Sequence, residues 1–453
     1  MEKSTFTVLI TGANSGLGFS ICCRLIDEFL YSRPQSQSLH LLFSTRSPRK
    51  SAETLTRLNG HLQNTLRKAN THEAPGLSKL IEARLKIEGV QCDLTKLLTV
   101  KALAEDLLRR RETLDVVIWN AGIAGWKGRN WPKAIWDVTT KWVEACTYPE
   151  YNIADVGLLA DRQTQPTTRQ EGAKGNARTT TDDEPKLGQV FLANVFGHYM
   201  LTHWLSPLLT ANSRIIWVSS VSAIARTFHV DDVQGLKSLT AYEGSKRLTD
   251  LLVLTSELPS TQTYLRGYLP ASSATTQSVK DLDRPKMILT HPGVVATSIA
   301  GLNFIMTGLM LIAFYICRLL GSPWHPVDPY KGSISAVFAA LAPPDQLLDY
   351  DARDGKGKWG SATSVFGDER VARTEVEGWQ FCGVVGKMVA GAISTGNKMG
   401  GFLGGYSMYR KTDQERREQF EVEAITCWRE MEILRVEWEK RLGPVRFEES
   451  EDV

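Results

Sequence analysis

The sequence predicts an α/β protein built on a doubly wound parallel sheet, and three observations carry that prediction. The chain opens on a β-rich run that meets a glycine-rich turn, "TVLITGANSGLG", Thr7 to Gly18. Short apolar runs then recur, each ending in turn-forming or polar residues: "LHLLFS", "LKIEGVQCDL", "LDVVIWNAG", "SRIIWVSS" and "KMILTHPG". Stretches with apolar residues at helical spacing separate them. That alternation indicates strands buried on both faces beneath crossover helices. Ligands of such sheets bind at the carboxyl ends of the strands.

Taken in order, Val8 to Ile10 form the first strand, and Phe19 to Leu30 a helix with Phe19, Cys22, Cys23, Leu25, Ile26, Phe29 and Leu30 on its apolar face. "LHLLFS" is the second buried strand, which completes a βαβ start. Asp161 to Lys186 is nearly devoid of apolar side chains and cannot offset the entropy of ordering, so it reads as a disordered insertion. Pro259 to Arg284 reads as a second polar insertion of the same type. Thr412 to Leu442 reads as a long amphipathic helix. Thr412 and Glu415 form its capping box, and Phe420, Ala424, Trp428, Met431, Leu434 and Trp438 its apolar stripe, packed on the body of the protein.

Composition limits the function. Lys+Arg 53 against Asp+Glu 50 leaves a net charge of +3, which offers no argument for nucleic acid as a partner. The seven scattered cysteines contain no CxxC pair, so neither a disulfide framework nor a zinc site is expected, and a reducing, cytosol-facing setting fits. The residues before Phe6 have no apolar core, and no signal peptide or N-terminal anchor is expected.

The chemistry lies in a few local motifs. In T-G-x-x-x-G-x-G, Gly12 permits a tight turn, while Gly16 and Gly18 let backbone approach a pyrophosphate at a helix N-terminus; Asn14 and Ser15 add polar contacts. The same triplet would also serve as a packing turn. The second strand ends "FSTRSPRK", with Arg46 and no acid. A guanidinium pairs with a ribose 2′-phosphate, whereas an acid would bind the 2′-hydroxyl, so NADP(H) fits better than NAD(H). Arg49 and Lys50 are candidates to assist. In "AYEGSK", Tyr242 and Lys246 sit at i and i+4 on one helix face, an arrangement expected to lower the tyrosine pKa. Ser220, at the end of "WVSS", is placed to hydrogen-bond the substrate oxygen that Tyr242 protonates.

With these residues assembled, the sequence resembles the short-chain dehydrogenase/reductase family. The resemblance rests on TGANSGLG, Asp93 in "CDL", "NAG" at Asn120 to Gly122, Asn194 in "FLANVFGHY", Ser220, Tyr242 with Lys246, and "HPGVVAT", seven elements in the family's order. It implies a Rossmann fold, a catalytic set of Ser220, Tyr242, Lys246 and Asn194, and no metal. It also implies a cofactor site of Gly12, Asn14, Ser15, Gly16, Leu17, Gly18, Thr45, Arg46, Asp93, Asn120, Ala121, Gly122, Tyr242, Lys246, Pro292, Gly293, Val295 and Thr297. Within that set Asp93 would contact the adenine, Asn120 would fix the adenosine side and Asn194 would hold a water in the proton relay. Lys246 would grip the nicotinamide ribose, and Pro292 to Thr297 would line the nicotinamide. Two departures stand out. Trp119 replaces the commoner asparagine before "NAG", and Ser220 precedes Tyr242 by 22 residues, a long gap that leaves Ser219 and Ser222 as substitutes.

In layout the chain is also similar to the fungal enzymes that reduce the 3-ketone of sterols during C-4 demethylation. That likeness implies a sterol ketone as substrate, with a fusidane-type triterpenoid ketone or another hydrophobic ketone as the alternative and a cofactor-binding scaffold for membrane-bound sterol enzymes as the rival outside enzymology. It further implies the membrane surface and other sterol C-4 demethylation enzymes as partners, and no nucleic acid. The expected organisation is a Rossmann core over 1–300, a hydrophobic lid over 301–322 and an extension over 323–453 packed on the core. The lid contains "LNFIMTGLMLIAFYIC", Leu302 to Cys317, 16 residues without a charge. As a helix it reaches about 24 Å, short of the roughly 30 Å of a bilayer core. Shallow insertion through Ile305, Leu309, Ile312 and Phe314 is expected, on the cytosolic face of the endoplasmic reticulum or on lipid droplets. The competing expectation is a buried core helix.

Overall fold

The computed structural model describes residues 4–70, 81–164, 184–270, 284–297, 301–394 and 412–446. Its centre is an eight-stranded sheet in the order β10-β9-β8-β7-β4-β1-β2-β3. The strands are β1 (Thr5–Ile10), β2 (Ser38–Thr45), β3 (Leu85–Gln91), β4 (Val116–Trp119), β7 (Arg214–Val218), β8 (Lys286–His291), β9 (Lys358–Thr363) and β10 (Glu369–Thr374). All pair in parallel except β10, which runs antiparallel to β9. β5 (Trp126–Arg129) and β6 (Asn152–Ala154) form a separate antiparallel pair.

Side-chain alternation along these strands builds two cores. On one face Val8 and Ile10 meet α1 (Gly16–Ser32), α2 (Pro48–Asn70) and α10 (Ile334–Leu341). On the other, Leu9, Val117 and Trp217 meet α3 (Leu97–Arg110), α6 (Gly197–Trp204), α7 (Ala241–Thr255) and α12 (Gln414–Leu442). The order reverses between β1 and β4, so their carboxyl ends diverge and open a crevice. The segment beyond 323 is part of this architecture: β9 and β10 extend the sheet, and α10 covers one face.

Three sequence expectations need correction. Pro259 to Tyr268 is not a disordered insertion. Helix α8 (Gln262–Tyr268) buries Leu265 and Tyr268, and the Tyr268 ring stacks on Tyr199 at 3.8 Å and against Trp428 at 5.7 Å. Two apolar anchors seven residues into a polar stretch are enough to hold it; 271–283 lie outside the described residues. Helix α12 is capped by Asp413, whose side chain accepts from Arg416 N at 3.0 Å, rather than by Thr412. The Thr412 hydroxyl is buried and accepts from Gly378 N. The edges of the first insertion are also ordered: Gln163 is buried, accepts from Leu97 N at 2.7 Å and donates to Thr95 O at 3.0 Å. Residues 165–183 lie outside the described residues.

Helix α9 (Phe304–Leu319) is no core helix. Only Cys317 is buried, while Phe304 is 93% and Ile305 68% exposed. Phe314 does not share that exposed face: it is half-buried and packs against His325 at 5.7 Å.

Candidate active site

A cleft of about 1060 Å³ crosses the carboxyl edge of the sheet. Every residue of the expected cofactor set lines it, from Gly12 to Gly18 through Thr45, Arg46, Asp93 and Asn120 to Pro292 and Thr297. Ser220, Tyr242 and Lys246 line its centre. The glycines are required where they stand. Gly12 and Gly16 hold φ of +72° and +54°, and a Cβ on Gly18 would lie 2.2 Å from Gly12 O. Bare backbone at the start of α1 therefore faces the cleft, as a bound pyrophosphate requires. Asn120 donates to Thr11 O at 3.0 Å, and the Thr11 hydroxyl accepts from Asn120 N and Ala121 N, so the "NAG" turn is tied to the glycine turn. Asp93 orders its own turn, accepting from Thr95 N and Thr95 Oγ1. Arg46 is exposed at the rim just beyond β2, while Arg49 pairs outward with Glu53 at 2.9 Å.

The Trp119 departure has a local cause. Its indole donates to Thr202 Oγ1 at 2.8 Å and stacks 5.2 Å from His198, a residue that burial holds neutral with a pKa of about 3. The asparagine of the family is thus replaced by an aromatic packed under α6. Asn194 lies in a π-helical turn, Leu192–Phe196, a distortion typical of functional sites. Its amide accepts from Ile123 N at 2.7 Å and donates to Ile123 O and Ser245 Oγ at 3.0 Å each, so it clamps the loop after "NAG" to the helix that carries Tyr242.

At the reacting end Ser220 lines the cleft with Tyr242, its hydroxyl pairing with Ser222 Oγ at 2.9 Å and accepting from Ser222 N at 3.2 Å. Ser219 is committed to Asp250, whereas the Ser220 hydroxyl is the one that opposes the rise of the Tyr242 pKa. The expectation that Lys246 lowers the Tyr242 pKa is corrected. Burial and the adjacent Glu243 push the phenol up, and the Ser220 hydroxyl only partly opposes them. Lys246 Nζ donates to Val218 O at 2.8 Å and lies 5.8 Å from the tyrosine ring. Its own pKa falls to about 8 because burial outweighs the attraction of Asp250, and Lys358 adds repulsion. Tyr242 is therefore a protonated phenol, the form a general acid needs.

Sequence reasoning overlooked the far wall. β5, α4 (Trp131–Thr140) and α5 (Trp142–Thr147) line the cleft together with α9; Trp126 is edge-on to Tyr242 at 5.7 Å, and α5 packs on α9, with Trp142 Nε1 donating to Ala313 O at 3.4 Å. The available signal was four of the chain's twelve tryptophans between 126 and 142. Glu243 was also overlooked; buried beside Tyr242, its carboxyl is pushed up to about 7. The arrangement can protonate an oxygen at the centre of a cleft whose one end suits a dinucleotide and whose other end is apolar.

No family model matches the chain. Among curated relatives, the 3-keto-steroid reductase erg27 of Aspergillus fumigatus is 41% identical over 450 residues, covering 96% of this chain and 94% of its own. This chain belongs to the 3-keto-steroid reductase family. The reductase ERG27 of Gibberella zeae is 36% identical with the same two coverages, and that of Schizosaccharomyces pombe 29% identical over 82% of this chain and 90% of its own. Membership in the 3-keto-steroid reductases makes the chain an oxidoreductase acting on a ketone. A solved short-chain type dehydrogenase/reductase from Mycobacterium ulcerans superposes on 76% of this chain and 85% of itself at 13% identity and TM-score 0.40, too weak a likeness to add to the fold.

Proposed function

We propose that this 3-keto-steroid reductase family member uses NADPH to reduce a sterol 3-ketone to the 3β-alcohol during C-4 demethylation in ergosterol biosynthesis. The observation that carries the reading is a half-buried, protonated Tyr242 beside Ser220, between a bare glycine turn and an apolar wall. Gly12 to Gly18 would hold the pyrophosphate, Asp93 the adenosine end, Lys246 the nicotinamide ribose and Pro292 to Thr297 the nicotinamide. The bound reduced nicotinamide supplies hydride to the carbonyl carbon. Tyr242 donates its proton to the carbonyl oxygen, and Ser220 polarises that oxygen as charge develops on it. Arg46, exposed at the rim with no carboxylate at the end of β2, favours the 2′-phosphate of NADPH.

The apolar wall supports a lipid substrate and a site of action at a membrane surface. No helix of the described residues is long and apolar enough to cross a membrane. Phe304, Ile305, Leu309 and Ile312 are nevertheless exposed on α9, as are Trp131, Ile135 and Trp136 on α4, and Leu309, Trp131 and Ile135 of these also line the cleft. Aromatic and aliphatic groups around a cleft mouth suit shallow insertion, with the substrate entering from the lipid of the endoplasmic reticulum or a lipid droplet. Incubating the purified protein with a panel of 3-keto sterols and 3-keto triterpenoids, with NADPH or NADH, tests the function. Conversion of the sterols with NADPH is the expected result; conversion of triterpenoids alone, or equal use of NADH, would overturn the corresponding part of the reading.

A further inference from the structure

Behind the catalytic groups lies a buried ion pair that none of the expected motifs includes. Lys358, the first residue of β9, extends its ammonium under the end of β7, where the side chains of Lys358 and Asp250 are 2% and 0% exposed. Its three N–H groups have three acceptors: Asp250 Oδ2 at 2.7 Å, Ser220 O at 2.7 Å and Ser219 Oγ at 3.2 Å. Ser219 Oγ in turn donates to Asp250 Oδ1 and lies 3.3 Å from Lys246 O. Asp250 is one helical turn beyond Lys246 on α7.

The network therefore joins the end of β7, which carries Ser220, to α7, which carries Tyr242 and Lys246. A charge buried this deeply is tolerated only with full coordination, so its three acceptors are held in one geometry. We infer that Lys358 and Asp250 are positioning residues for the reduction: the Lys358 ammonium, anchored by Asp250, grips the Ser220 carbonyl and so sets the Ser220 hydroxyl against Tyr242. Ser220 O has an ammonium donor 138 residues away in sequence, supplied by a strand that the glycine and tyrosine motifs do not contain. An error of an ångström in a group that polarises the reacting oxygen costs turnover without touching the cofactor cradle.

This inference rests on the reading of Ser220 as the polarising group. The test measures kcat on a 3-keto sterol, the Kd for NADPH and the melting temperature. Removing one partner leaves an uncompensated buried charge, so the variant of choice replaces both, Lys358→Met with Asp250→Leu. Near-native melting, unchanged NADPH affinity and a kcat lowered by about tenfold or more are expected. In a Ser220→Ala background the same pair of changes should cost less than about twofold, because their effect passes through Ser220. Wild-type kcat in the double variant, an equal loss in both backgrounds, or a parallel loss of NADPH affinity would overturn the inference. Undiminished kcat in Ser220→Ala alone would overturn the Ser220 reading and this inference with it. Should the double variant fail to fold, Lys358→Arg keeps the charges balanced but replaces the compact ammonium with a planar fork. The same loss of kcat is expected there, and wild-type kcat would again overturn the inference.

Discussion

Tyr242 at the centre of the cleft and Arg46 at its rim answer different questions about it. Tyr242 is kept protonated by burial and by Glu243, so its proton is available to a substrate oxygen. Tyr242→Phe keeps the ring that packs against Trp126 and removes only the hydroxyl; turnover is expected to fall about a hundredfold or more with NADPH affinity unchanged, as steady-state kinetics and a binding titration would show. Arg46→Ala is expected to raise the KM for NADPH far more than that for NADH, since a charge-assisted contact contributes roughly 1.5–3 kcal/mol. Equal effects on the two cofactors would place the discrimination elsewhere. Both residues were legible in the sequence because each is defined by its immediate neighbours, Tyr242 by Lys246 four residues on and Arg46 by the strand it follows. The state of the phenol was not legible. It depends on burial and on where the Lys246 ammonium points, and that ammonium is on Val218 O.

Among the elements, α9 and α4 carry the membrane proposal. Replacing Phe304, Ile305, Leu309 and Ile312 together with serine or glutamine is expected to release the protein to the soluble fraction of expressing cells while reduction of a detergent-dispersed ketone persists. Undiminished membrane association would assign those side chains another role. Phe314 is left out because it is half-buried against His325 rather than exposed. The α1–α2 contact gives a pH prediction. His61 on α2 is raised from 6.5 to about 10, first by its hydrogen bond with Asp27 on α1 and then by Cys23. A histidine with a raised folded pKa adds stability that is complete below the unfolded value and is lost as pH climbs through the folded one. His61→Gln is therefore expected to melt below wild type near pH 6, with the gap narrowing toward about pH 10 in thermal scans. A constant gap would show that the contact does not depend on charge. The type of these elements was legible from periodicity, whereas the use of α4 was not, because a tryptophan-rich helix becomes a substrate wall only when folding sets it at one cleft with α9.

At the scale of the whole molecule, the chain beyond 323 is structural to the reductase. It supplies β9, β10 and α12, and α12 buries Phe420, Ala424, Trp428, Met431 and Trp438 against the second core, with Trp428 Nε1 on Thr255 Oγ1 of α7 at 3.2 Å. Trp428→Ala leaves a large cavity there and is expected to cost about 3–5 kcal/mol in chemical denaturation with little change in the NADPH KM. The parallel sheet, the glycine cradle and the catalytic pair could be read from local patterns. The Lys358–Asp250 pair could not, since a lysine at the start of a strand resembles any solvated lysine until β9 lies beside β8. The packing of Leu265 and Tyr268 was hidden in the same way by polar neighbours in sequence. The central claim is that this cleft passes hydride from NADPH to a sterol 3-ketone while Tyr242 supplies the proton. The most direct measurement supplies NADPH deuterated at the transferred position of nicotinamide C4, together with a 3-keto sterol, to wild type and Tyr242→Phe, and analyses the products by mass spectrometry. The account predicts a 3β-hydroxy sterol carrying one deuterium at C3 from wild type and almost none from the variant; unlabelled product, or equal product from both proteins, would contradict it.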